Sequence, residues 1–431
     1  MGPASRLPGA VLSEATRRYR EVEKTLARRA PTRVLAAVPR TAKFMGATVV
    51  RGTRQATSGL PVPSASPALA AQVAIDETIL ALAMGPNAFP RRADYERVGA
   101  ELAHANLLFE TRGWLDDPAS YHRQPPPLVD PAIGKGWALG QSYERLLFPS
   151  GWSPRDDEPG AERWAGYEAN STAVATVLRH KGAPRPWVIG IHGFGMGYPF
   201  MDFVGLHALH LHRDLGLNVV LPVLPLHGPR KINRMSGEAF LTFDLINTIH
   251  ALSQAIWDIR RVLGWIRAQG DQPVAVHGVS LGGYVASLLV GLEDGIDCVV
   301  AGIPVVDFPA MFRSQSPHHV RLRAIEHGIL GGNAEVVHRV VSPLALAPRV
   351  PHDRRFIFAG LGDRMAVPTQ AHALWKHWDE PEVCWYAGNH LGYLWSSQVS
   401  DFLYGSLARS GFTVGTQPGD RVQPRDLPVS A

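Results

Sequence analysis

Residues 273–292 read PVAVHGVSLGGYVASLLVGL, twenty positions without a single Asp, Glu, Lys or Arg. A stretch that long and apolar could span a bilayer. Its internal order argues against a span. Pro273–Val276 is a short apolar run, Gly278-Val-Ser-Leu-Gly282 is a turn, and Gly283–Leu292 has the composition of a buried helix. The stretch therefore reads as strand, sharp turn and helix inside a soluble core. A serine hydroxyl is a poor nucleophile unless it is lifted clear of the backbone towards a base, and a tight strand-to-helix turn does this. The flanking residues must be small, as Gly278 and Gly282 are. Ser280 also stands at a helix N-terminus, whose dipole favours a developing negative charge.

A second glycine-rich tract, His192-Gly-Phe-Gly-Met-Gly197, follows the apolar run Trp187–Ile191. Acyl transfer from an ester puts charge on the former carbonyl oxygen, and two preorganised backbone N–H groups can hold it. The candidates are the N–H groups of Leu281 and Phe194. A phosphate-cradling loop is disfavoured, because the glycine spacing is not the dinucleotide one and no P-loop Lys-Ser/Thr follows. Further on, Phe356–Ala359 runs into a glycine-bounded loop tipped by Asp363, and Cys384–Tyr386 runs into one tipped by His390. The chain order Ser280, Asp363, His390 suits a triad laid on a parallel sheet. His390 would take the Ser280 proton, and Asp363 would fix its tautomer. Asp307, one strand earlier, is the rival acid. His207, His210 and His212 lie close together but lack an accompanying acid at metal-site spacing, so they read as a solvated helix face.

Taken together, Gly278-x-Ser280-x-Gly282, His192-Gly193-Phe194, Asp363 and His390 resemble the α/β-hydrolase superfamily over roughly residues 140–405. The resemblance implies an eight-stranded, mostly parallel sheet flanked by helices, in strand order 1-2-4-3-5-6-7-8. It also implies a serine hydrolase that cleaves a carboxylic ester or thioester, esterase- or lipase-like, through an acyl-Ser280 intermediate. No metal or organic cofactor is expected. An acyltransferase with the same triad is the alternative, and a non-catalytic binding protein on the same fold a further one. Pro225-Leu-His-Gly-Pro-Arg230-Lys231, ahead of a long helical stretch, is similar to a narrower "α/β-hydrolase domain 18" type. His192 and Gly193 are expected beside the substrate. His227 and Arg230, with Lys231 and Arg234, are candidates for an acidic head group. An insert over residues 309–351 stands where the superfamily often keeps a lid. The implied strand order separates Cys298 and Cys384 by one strand, about 10 Å, too far for a disulfide.

Strands are expected near 143–149, 171–178, 186–191, 217–224, 273–279, 297–305, 354–360 and 382–387. Between the fourth and fifth, Phe240 to Ile266 carries apolar residues at steps of three and four, predicting one stripe on the sheet and a wet outer face. Residues 1–125 read as a helical extension, with helices over 68–84 and 94–109 and a basic amphipathic helix over 13–30; 406–431 reads as a tail. Of 431 residues, 45% are hydrophobic and 19% charged, which excludes global disorder. The net charge of +5 is unevenly spread. Residues 1–60 hold twelve Lys/Arg against three acids, so the remainder sums to −4. That argues against a nucleic-acid-binding body and leaves the basic helix as either a solvated helix docked on the body or a peripheral membrane contact. Without an apolar leader, a cytoplasmic location is expected. The expected partner is a small-molecule or lipid acyl ester.

Overall fold

The computed structural model describes residues 37–53, 59–83 and 90–414; the basic segment over 13–30 and the end of the tail lie outside the described residues. Three helices open the described chain: α1 (Ala37–Thr53), α2 (Pro67–Ala83) and α3 (Arg92–Thr111). The antiparallel strands β1 (Ala132–Ala138), β2 (Gln141–Pro149) and β3 (Thr172–Leu178) follow, with the short α4 (Ala161–Ala165) before β3. Next come β4 (Trp187–Ile191), α5 (Pro199–Gly205), α6 (Ala208–Arg213), β5 (Asn218–Pro222), α7 (Leu245–Arg267), β6 (Val274–Val279), α8 (Leu281–Leu292) and β7 (Cys298–Gly302). The chain continues through α9 (Phe308–Gln315), α10 (His318–Glu326), α11 (Asn333–Val337), β8 (Arg355–Gly360), α12 (Pro368–His377), β9 (Glu382–Tyr386) and α13 (Ser397–Arg409).

The nine strands form one sheet in the order β1-β2-β3-β5-β4-β6-β7-β8-β9. From β5 to β9 all pairings are parallel. With β1 set aside, the other eight follow the order 1-2-4-3-5-6-7-8, which is the α/β-hydrolase fold. Strands β4 to β7 are buried along their whole length, which is why they read as unbroken apolar runs. The ninth strand, β1, lies outside the eight expected from the sequence. In β1, AIGKGWA carries two glycines and a lysine, and no residue of it is fully buried. It pairs only with β2, as an edge strand.

Residues 273–292 are β6 and α8, and among the described residues no helix is long and apolar enough to cross a membrane. The wet outer face expected of α7 is corrected: twenty of its 23 residues are buried. Its polar side is covered by the chain after β2 and by α3. Trp164 Nε1–H donates to Gln254, Ser150 Oγ–H donates to Asp258, and Asp244 at the N-cap pairs with Arg97 and Arg163. In the insert after β7, Phe308, Ile329, Leu330 and Val337 lie in the main core, while Leu322 and Ile325 face outward. Cys298 and Cys384, on β7 and β9, are both free.

Candidate active site

The ends of β4, β6, β8 and β9 meet at one edge of the sheet, where the strand order reverses across β4. In open α/β sheets this crevice is where sites form. Ser280, between β6 and α8, has φ +57° and ψ −116°, a left-handed backbone for a residue with a Cβ. Such strain persists only where the surroundings over-determine it, and they do here. A Cβ on Gly282 would lie 1.9 Å from the Ile191 carbonyl oxygen, and one on Gly278 2.1 Å from the carbonyl of Gly282. Strand, turn and helix are packed backbone against backbone, and only glycine fits at both places.

His390 Nε2 lies 3.0 Å from Ser280 Oγ, and its Nδ1 lies 2.6 Å from Asp363 Oδ2. With Nδ1–H donated to Asp363, Nε2 is left as the acceptor for the serine hydroxyl. Asp363 is fully buried, and its other oxygen accepts the Met365 and Ala366 N–H groups, each at 2.8 Å. Burial works against the imidazolium of His390. The charge of Asp363, its hydrogen bond, and the charge of Asp76 outweigh it, so the His390 pKa is raised above the ordinary histidine value. Asp307, the rival acid, instead caps α9 by accepting the Ala310 N–H at 2.9 Å.

The loop after β4 lies against the serine turn: a Cβ on Gly193 would lie 3.5 Å from Ser280 Cβ. Among the described residues, the N–H groups of Phe194 and Leu281 have no acceptor. The loop is held from behind by two residues that sequence reading missed. Buried Asp202 accepts the Gly197 N–H at 2.9 Å, and Ser236 donates to the Met196 carbonyl while accepting the Gly228 N–H. No local pattern marks either residue, because their partners are backbone groups brought near only by the fold.

Three candidate substrate contacts are corrected. His192 is buried, with Nδ1–H donating to the Gly193 carbonyl and Nε2 accepting the Leu224 N–H, so both nitrogens are used in joining the β4 and β5 loops. His227 is fully buried, its Nδ1–H on the Pro225 carbonyl. Burial, then neighbouring His192, holds its pKa well below the ordinary value. Arg230 is 1% exposed and spends its guanidinium on Asp258 at 2.9 Å and on the carbonyls of Val223 and Asn170. Neither His227 nor Arg230 is available to an acidic head group, although Lys231 and Arg234 are exposed. The three clustered histidines are not a solvated face either. His207 bonds Tyr404, His210 pairs with Asp214, and buried His212 bonds the Leu217 carbonyl. Among the described residues no group of three or more His, Cys, Asp or Glu is placed to hold a metal ion.

Fold and site together define an α/β-hydrolase-fold protein with a linked Ser-His-Asp arrangement at the sheet's switch point. The chain belongs to the family of the uncharacterized protein Rv2627c of Mycobacterium tuberculosis, with which it is 39% identical over 362 residues, covering 82% of this chain and 85% of the relative. The uncharacterized protein MT2702, from another strain of that organism, matches to the same extent. No family model matches the chain. Among solved structures, an acetyl xylan esterase from a Paenibacillus species superimposes with a TM-score of 0.47 at 15% identity, covering 72% of this chain and 94% of that one. An acetyl xylan esterase from a Thermoanaerobacterium species gives 0.44 at 16% identity, covering 68% and 98%. Scores at this level decide nothing that the strand order leaves open. None of the comparisons supports the narrower "α/β-hydrolase domain 18" resemblance.

Proposed function

We propose that this protein is a serine hydrolase that cleaves a carboxylic ester or thioester through an acyl-Ser280 intermediate. The observation that carries the reading is the unbroken link from Ser280 Oγ through His390 to buried Asp363, at 3.0 and 2.6 Å. Ser280 Oγ attacks the acyl carbon as its proton passes to His390 Nε2. The imidazolium so formed is steadied by Asp363 and gives the proton to the departing alkoxide or thiolate. Water then attacks the acyl carbon, His390 takes up its proton, and Ser280 leaves with that proton restored. Both tetrahedral intermediates place their oxyanion towards the Phe194 and Leu281 N–H groups. Losing one such donor costs about 2.7–4 kcal/mol of the barrier. The Phe194 side chain, 39% exposed in the loop that lies against the serine turn, supports an apolar acyl group.

The test is turnover of a panel of p-nitrophenyl acyl esters and acyl thioesters by wild type and Ser280→Ala. Wild type should turn over at least one class with an initial burst of the acyl-enzyme, and Ser280→Ala should show neither burst nor turnover. Equal turnover by the two proteins would overturn the reading.

A further inference from the structure

The described part of the N-terminal extension reaches the triad-bearing loops through α2, and Asp76 is the side chain that bonds both of them. Asp76, on α2, is fully buried. Its Oδ2 accepts the N–H of Arg364 and the N–H of His390, each at 3.0 Å, and its Oδ1 accepts the Asn389 side-chain amide at 2.9 Å. Arg364 is the residue after the triad acid, and His390 is the triad base. We infer that Asp76 is a positioning residue of the active site, a brace that ties the loops bearing Asp363 and His390 to each other and makes α2 part of the catalytic centre rather than a detachable cap. The inference rests on the hydrolase reading.

The seat is built for close approach. Gln72, one turn before Asp76, accepts the Asn389 N–H at 3.1 Å. A Cβ on Gly388 would lie 3.0 Å from Gln72 Oε1 and 2.7 Å from the Tyr386 ring, and a Cβ on Gly362 would lie 2.7 Å from Leu69. Leu69 and Val73 pack with Phe44 of α1 as a small core of their own, and Phe44 lies under the Arg364 guanidinium. That guanidinium pairs with Glu77, at 2.8 Å, and not with Asp76. Asp76 is thus a buried carboxylate compensated by three N–H donors and no salt bridge. Such a group is costly to bury, and an asparagine in its place would lose the charge and would have to turn its NH2 to Asn389, whose own amide must then flip to accept it.

The brace also carries charge. The groups that face Asp76 are Asp363 and Arg364 from the loop after β8, Tyr386 and His390 from β9 and its loop, Glu77 beside it on α2, and Arg40 of α1 through Glu77. Burial, then the charge of Asp363, raises the Asp76 pKa to about 6, against the pull of the Arg364 and His390 N–H groups. Above that value its negative charge helps to hold His390 protonatable. Removing the charge lowers the His390 pKa, so the acid limb of the rate profile moves to lower pH. A side chain that only props up the fold would change the amount of active protein and leave that limb in place.

The experiment uses full-length wild type, Asp76→Asn, Asp76→Glu and Glu77→Gln. Folding is checked by thermal melting and gel filtration. The readouts are the rate of fluorophosphonate labelling against pH, and kcat and KM on p-nitrophenyl butyrate. Asp76→Asn should lose roughly 10- to 100-fold in labelling rate and kcat, the scale of a small misplacement of reacting groups. Its KM should stay within about twofold, and its acid limb should move to lower pH. Asp76→Glu, which keeps the charge but displaces the oxygens, should lose rate and keep the limb. Glu77→Gln, which keeps all three N–H bonds, should keep the limb. Folded Asp76→Asn with wild-type rate and an unmoved limb would overturn the inference, as would losses in all variants that merely track the folded fraction. Should Asp76→Asn not fold, a wild-type labelling rate in folded Asp76→Glu overturns the inference, as does a loss that tracks its folded fraction, and a loss of rate per folded molecule supports it. Failure of the hydrolase reading looks different, because wild type itself would not label.

Discussion

The loop after β9 and the loop after β5 each bury a histidine at the same edge of the sheet, and the two rings are driven in opposite directions. His227 faces His192 and Arg230, so burial and like charge hold it neutral. His390 is almost as buried but faces Asp363 and Asp76, and its protonated form is favoured in spite of burial. Burial alone makes an inert imidazole; burial beside a carboxylate makes a base that can hold a proton. On the hydrolase reading proposed above, the front loop serves proton transfer, while the rear loop holds backbone in place.

The largest effect expected on the front loop is from His390→Ala, which should lower ester turnover by roughly 10⁴-fold or more. Asp363→Asn should follow, at roughly 10³- to 10⁴-fold, because the wrong tautomer is then offered to Ser280. Both are read from turnover on a p-nitrophenyl ester with folding checked by circular dichroism. On the rear loop, Arg230→Met leaves Asp258 buried without its cation. The expected cost is about 3–5 kcal/mol in urea unfolding, with KM little changed. Asp258→Leu in the same chain should recover much of that loss, whereas a raised KM in folded Arg230→Met would return Arg230 to the substrate. The smallest effects concern pH. The base must be neutral to act, and its pKa is raised, so kcat/KM should fall as pH drops through a value above the ordinary histidine value near 6.5. His227→Asn should leave that limb where it is, since His227 is already neutral there.

The sheet and the front loop are legible in the sequence because each depends on local pattern: buried apolar runs, glycines where backbones touch, and a serine, an acid and a base at strand ends. Most of the rest fails for one physical reason. A polar residue in an amphipathic pattern looks the same whether it meets water or a buried partner. In α7, Gln254 and Asp258 fit a wet face and are in fact hydrogen-bonded beneath Trp164 and Ser150. In α2, Asp76 and Glu77 look like ordinary surface acids on a helix, and both are buried against the Arg364 loop, nearly 290 residues further along the chain. Arg230 looked like a free cation for the same reason. Edge strand β1 escaped through the opposite fault, since it buries too little to leave a pattern.

The central claim, that Ser280 is the nucleophile, is tested most directly by locating the covalent adduct of a fluorophosphonate with peptide mass spectrometry. The account predicts one adduct, on Ser280, formed in wild type and absent from folded Ser280→Ala. An adduct on another serine, or a folded wild-type protein whose Ser280 stays unmodified, would contradict it.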